Sequence, residues 1–62
     1  MELDEFVDMI RTYANLQTIV SKKYLKYSKE AKGRKKDEYL GISKHAEEVA
    51  KDLYKILSSL EN

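Results

Sequence analysis

The sequence predicts an all-α fold: an antiparallel two-helix hairpin that dimerises into a four-helix bundle. Three observations predict it. Apolar residues recur in alternating steps of three and four, a glycine stands at the midpoint of that pattern, and the apolar stripe is wider than two helices can cover. The 62 residues include no Pro and two Gly, so little interrupts a chain rich in the helix formers Ala, Leu, Lys and Glu.

The first element follows from Leu3, Phe6, Ile10, Tyr13, Gln17, Val20, Tyr24, Tyr27 and Ala31, where Gln17 alone is neither apolar nor aromatic. The second follows from Tyr39, Ile42, Ala46, Val49, Leu53, Ile56 and Leu60. Spacing of this kind, sustained over about four heptads and then three, is the seam of a coiled coil or bundle. Helices are expected over about 3–32 and 36–60, with a turn at about 33–35 in a single domain spanning 1–62. Gly33 follows Lys32 where a helix end favours a residue able to take positive φ. Folding the chain back at this point pairs Tyr27 with Tyr39, Tyr24 with Ile42, Val20 with Ala46, and Gln17 with Val49. The same register continues through Tyr13 with Leu53, Ile10 with Ile56 and Phe6 with Leu60; every pair of numbers sums to 66. Gly41 is the weak point of the second helix, at a cost of about 1 kcal/mol against Ala. A continuous helix is expected there, the alternative being a break at Gly41-Ile42-Ser43 with Ser43 capping a third helix.

The core and dimer residues are expected to be Phe6, Ile10, Tyr13, Gln17, Val20, Ile42, Ala46, Val49, Leu53 and Ile56. Val7, Met9, Ala14, Leu16, Leu40, Ala50, Tyr54 and Leu57 flank this stripe, and a second copy of the chain is the economical way to cover them. Area scaling points the same way. Burial in a compact chain of this size contributes on the order of 95 kcal/mol, against about 93 kcal/mol for ordering it. With no Cys, no disulfide or thiolate zinc site can close the gap. Gln17 is the one polar seam residue, placed to fix register or oligomeric state unless it turns to the stripe's edge. Val20 opposite Ala46 is the smallest layer; close helix approach is expected there, rather than a shallow pocket beside His45.

A chain of about sixty residues with this heptad plan and central turn resembles the Rop family of plasmid RNA-binding regulators. The stretch His45-Ala46-Glu47-Glu48-Val49-Ala50-Lys51-Asp52-Leu53-Tyr54 is faintly similar to that family's second helix, once a gap is allowed. The resemblance is one of architecture: it implies a dimeric four-helix bundle and transfers no functional residue.

Net charge is +1, but unevenly spread. Residues 1–10 hold Glu2, Asp4, Glu5 and Asp8 and no base. Residues 22–36 hold eight bases against Glu30 alone, a local balance of +7. A hairpin gathers those bases at its tip. They can be a solvated turn, an orienting charge for the dimer, or a phosphate-binding surface, and these roles are compatible. On the last reading Lys22, Lys26, Lys29, Arg34, Lys35 and Lys36 contact nucleic-acid phosphates, with Tyr24 and Tyr27 offering rings for base stacking. Aromatic residues at helical spacing are also ordinary core. Ile19, Leu25 and Leu16 fall off the seam and hint at a second surface for a protein partner.

Catalysis finds little support. His45 is the lone histidine, and no nucleophile elbow or phosphate loop accompanies it. His45, Glu48 and Asp52 share a helical face, but the Glu-x-x-His pattern of di-iron bundles is missing. The expectation is a non-catalytic regulatory protein without metal or cofactor, homodimeric, binding RNA or DNA through its tip. The alternative is a protein-interaction module, an inhibitor or adaptor of phage, plasmid or host-regulatory type, meeting an acidic protein. The acidic start Met1-Glu2-Leu3-Asp4-Glu5 is unlike a signal peptide, and no apolar run spans a membrane, so a cytoplasmic protein is expected.

Overall fold

A computed structural model of the chain describes residues 2–61. Two helices, α1 (Leu3–Glu30) and α2 (Arg34–Glu61), lie antiparallel in a rod of 46 × 16 × 13 Å. Each runs 28 residues, long enough that one face must find a partner, because helices are held by packing more than by propensity.

The ends follow from local chemistry. Asp4 and Glu5 occupy the first turn of α1 and Lys29 the last, signs that suit the helix dipole. Ala31 leaves the helix in extended conformation, φ −93°, while its N–H still donates to the Tyr27 carbonyl at 3.0 Å. Gly33 then takes φ +64°, a left-handed conformation that glycine adopts without the Cβ clash other residues meet. Its carbonyl accepts from Asp37 N–H at 3.4 Å, so the turn hands directly into α2.

Helix α2 continues unbroken through Gly41. A Cβ built at Gly41 meets nothing within 4 Å, and its φ lies outside the left-handed region. Gly41→Ala is therefore expected to stabilise the hairpin by about 0.5–1 kcal/mol. A thermal melt followed at 222 nm should rise by about 3–6 °C; an unchanged or lower midpoint would show that something outside the hairpin occupies the space the added methyl would fill.

The line of contact between the helices differs from the expected one. Ala14, Ser28, Ser43, Ala46, Ala50 and Leu57 are buried. Ser43 Oγ donates to the Ser21 carbonyl at 2.8 Å and sits 3.4 Å from Ser21 Oγ. Ser28 Oγ donates to Leu25 O at 2.6 Å. The seam is thus built on Val7, Ala14, Ser21 and Ser28, seven residues apart, against Ser43, Ala50 and Leu57 at the same spacing. Short side chains let the backbones approach, and the hydroxyls find carbonyls, so small residues win the contact between helices over large ones.

This corrects the expected pairing within the hairpin. Phe6, Tyr13, Ile42 and Ile56 are not buried between α1 and α2 but exposed, at 46, 47, 42 and 47%. Ile10, Gln17, Val20, Val49 and Leu53 are half-buried, and Ala46 alone of that set is fully enclosed. At the tip the expected pair of Tyr27 with Tyr39 is present, with ring centroids 5.9 Å apart.

Candidate functional site

The tip gathers the bases that the sequence concentrates in residues 22–36. Lys22, Lys26, Lys29, Arg34, Lys35 and Lys36 are all exposed. Lys35 reaches Glu38 at 3.8 Å, an exposed pair one helical turn apart that does little to hold its charge. Among the described residues, Lys22, Lys26, Lys29, Arg34 and Lys36 make no ion pair. The two helices bring these cations to one end from both sides of the turn. Their field reaches a Debye length, about 10 Å at 0.1 M salt.

Tyr24 and Tyr27 stand differently. Tyr24 meets Tyr27 edge to face, with centroids 5.4 Å apart and planes at 85°, and lies 5.7 Å from Tyr39. The three rings form one cluster that closes the tip end of the hairpin. Tyr24 is half-buried and Tyr27 exposed. A shallow hollow bounded by Tyr27, Glu30, Ala31 and Tyr39 lies beside it.

The second feature is an apolar face along the rod. Phe6, Tyr13 and Tyr27 on α1 and Ile42 and Ile56 on α2 project from it, with Val20 and Val49 between them by helical spacing. Midway lies a hollow of about 590 Å³ lined by Gln17, Val20, Gly41, Ile42, His45 and Ala46, together with Asp37 and Glu38. The expected close approach holds at Ala46, which is buried one turn from the Ser43 hydroxyl that reaches the Ser21 carbonyl, and an open depression lies on the surface beside it, next to His45. Gln17 lines the same depression, half-buried.

The opposite face carries a narrower groove of about 380 Å³ that the sequence pattern did not define. Leu25 and Leu40 wall it, Ser21 and Ser43 lie at its floor, and Lys22 and Lys44 are at its rim with Glu47. Glu47 is engaged by Lys51 at 3.5 Å. Farther along the rod Tyr54 Oη donates to Asn15 Oδ1 at 2.7 Å, a second strap between the helices. Leu25 and Leu40 sit off the three-four stripe, and that offset is the signal that marks them. Leu16 does not join Leu25: it borders Met9 and Tyr13 on the edge of α1, so the suspected surface of Ile19, Leu25 and Leu16 is not one patch.

Among the described residues no group of three or more His, Asp or Glu is placed to hold a metal, and no helix is long and apolar enough to cross a membrane. Comparison with known protein families, with curated proteins and with solved structures finds no match for this chain.

Proposed function

We propose that the protein is a non-catalytic regulator that works as a homodimeric four-helix bundle and binds nucleic-acid phosphates with its basic tips. The observation that carries the binding reading is the cluster of cations at the turn, +7 over residues 22–36, with all six named bases exposed and only Lys35 in an ion pair. Phosphate binding by such a cluster releases counterions and needs no shaped cavity. Tyr27, the exposed ring of the three, offers a ring for an unpaired base to stack on. The hairpin is in keeping with the architecture of the Rop family of RNA-binding regulators.

The dimer is supported by area. The hairpin exposes 5016 Å², whereas a compact chain of its mass exposes about 4,200 Å². The excess, about 800 Å², equals what one partner contributes to a standard interface. The exposed Phe6, Tyr13, Ile42 and Ile56 offer apolar area on one face for such a contact.

Fluorescence-anisotropy titration of labelled RNA and of duplex DNA, at 50 and 200 mM salt, tests the binding reading. Six phosphate contacts predict a loss of affinity of about a thousandfold between the two conditions. Lys26→Glu with Lys29→Glu and Lys35→Glu should remove binding at both. No complex at 50 mM, or an affinity indifferent to salt, would end the proposal.

One observation favours a second reading, a protein-interaction module: the groove of Leu25 and Leu40 rimmed by Lys22 and Lys44 offers an apolar floor between cations, which suits an acidic amphipathic segment. Leu25→Ser separates the two readings, since it removes the groove wall and leaves every phosphate-binding base in place.

A further inference from the structure

We infer that the groove of Leu25 and Leu40 docks an acidic amphipathic helix of a partner protein, and that this helix competes with nucleic acid for lysines the two sites share. The inference rests on the phosphate-binding reading above and adds its regulation.

The register of the hairpin sets a pair of leucines between two pairs of cations. Lys22 and Lys44 stand at one level on the two rims of the groove, and Leu25 and Leu40 wall it one step nearer the tip. Four residues beyond each leucine, on the same flank of each helix, come Lys29 and Lys36. Among the described residues none of these four lysines makes an ion pair. Glu47, the one carboxylate lining the groove, lies at the end away from the tip and is engaged by Lys51 at 3.5 Å. The charge left open is positive.

The floor selects against phosphate. Thr18 Oγ1 donates to Ala14 O at 3.0 Å, and Ser43 Oγ donates to Ser21 O at 2.8 Å. Ser21 Oγ, 3.4 Å from Ser43 Oγ, is left to donate there. Each hydroxyl carries one proton, so the floor turns lone pairs toward an occupant, and lone pairs repel a phosphate oxygen. Leu25 is 41% exposed and gains by being covered. Apolar side chains therefore suit the floor and walls, and carboxylates suit the rims. The small floor residues let a third helix come close, as they let α1 approach α2.

Spacing gives the partner its form. Lys22 and Lys29 are seven residues apart on α1, about 10 Å along its axis. A helix laid in the groove presents acids seven residues apart at the same separation, on both flanks of an apolar stripe. Lys22, Lys29 and Lys36 are also among the six bases assigned to phosphate. A docked helix withdraws them from nucleic acid, and each ligand weakens the other by the same factor. The groove lies opposite Phe6, Tyr13, Ile42 and Ile56, so docking leaves that face free.

The probe is a short fluorescein-labelled helical peptide with leucine at steps of three and four and glutamate on both flanks. Anisotropy at 50 mM salt should show it binding the intact chain, with a scrambled peptide of the same composition at least tenfold weaker. Leu25→Ser and Lys44→Ala should each weaken the peptide at least tenfold. Neither residue belongs to the phosphate-binding set, so RNA affinity should stay within about threefold. Unlabelled peptide should displace labelled RNA from the unsubstituted chain and fail to do so from Leu25→Ser. Equal binding of the scrambled peptide would reduce the contact to charge attraction and overturn the inference, as would a chain that binds RNA but not the peptide. A large loss of RNA affinity in Leu25→Ser would give the groove to nucleic acid instead. RNA and peptide held together on one chain would overturn the competition. If RNA fails to bind while the peptide binds, the phosphate reading and the competition fall together, and the docking groove, measured without nucleic acid, is upheld.

Discussion

Ala14→Leu is expected to lower the melting midpoint of the hairpin by about 12–24 °C, the largest single-residue effect on stability in this chain. Ala14 is fully buried, in line with Ser21 and Ser28 on the contact side of α1. A leucine there adds three heavy atoms where the backbones are closest. The helices must separate or the side chain must leave its rotamer, at about 1–3 kcal/mol. Separation also strains the Ser43 hydroxyl bond to the Ser21 carbonyl one heptad away, worth about 1 kcal/mol. Together these approach 3 kcal/mol, and a domain of this length holds only about 3–9 kcal/mol in all. At about 4–8 °C per kcal/mol the midpoint shift follows. Leu16→Ala, on the exposed edge of the same helix, should leave the isolated hairpin unmoved. A loss below about 3 °C for Ala14→Leu would mean that the small residues do not set the distance between the helices.

The distinction between small and large residues also explains what the sequence revealed. Periodicity located two helices lying antiparallel about a turn at Gly33, though not the residues that pair between them, because steps of three and four report a helix face wherever it points. It could not divide that face. Ile10, Gln17, Tyr24 and Ala31, with Tyr39, Ala46 and Leu53, belong both to the contact within the hairpin and to the apolar face beside it. Ranking residues by hydrophobicity then drew the line of contact toward Phe6, Tyr13, Ile42 and Ile56, which turn outward. Serine reads as polar, which hides Ser21, Ser28 and Ser43, and the same ranking leaves Ala14 at the flank of the stripe rather than in the contact. In the fold each of the three serines has a hydroxyl contact within 3.5 Å, and small size counts for more than polarity. Heptad spacing of small residues was the available signal.

The basic tip was legible for a simpler reason. Charge crowding within residues 22–36 depends on chain order alone, and any fold with a turn near residue 33 gathers those bases. The tyrosines were less so. Their spacing fits equally a core, a stacking platform or both; in the fold each ring touches the other two of the cluster, and exposure alone divides the half-buried Tyr24 from the exposed Tyr27. The groove of Leu25 and Leu40 needed both helices in register before its two walls could be seen to face each other.

Ile42→Glu combined with Ile56→Glu is expected to convert the proposed dimer to a monomer, with dissociation at least a thousandfold easier. Both positions are more than a third exposed in the single hairpin, so two carboxylates there remain in water and cost the monomer little, within about 0.5 kcal/mol each. In the proposed dimer the same positions would face the second chain, and four carboxylates would be enclosed without cationic partners. Each enclosed, unpaired charge costs several kcal/mol, against the 1.4 kcal/mol that changes an affinity tenfold. The control is Ile19→Glu with Leu25→Glu, at residues 58 and 41% exposed and off the apolar face. It adds the same charge to the same helical hairpin, so solubility, net charge and helix propensity change alike, and the dimer should persist. Sedimentation equilibrium at about tenfold steps in concentration reads both. If the control dissociates and the first pair does not, the second copy sits on the Leu25 groove. If the unsubstituted chain is already monomeric at 100 µM, about the range of a weak association, the apolar face serves some other partner and exposed area is a poor guide to self-association here.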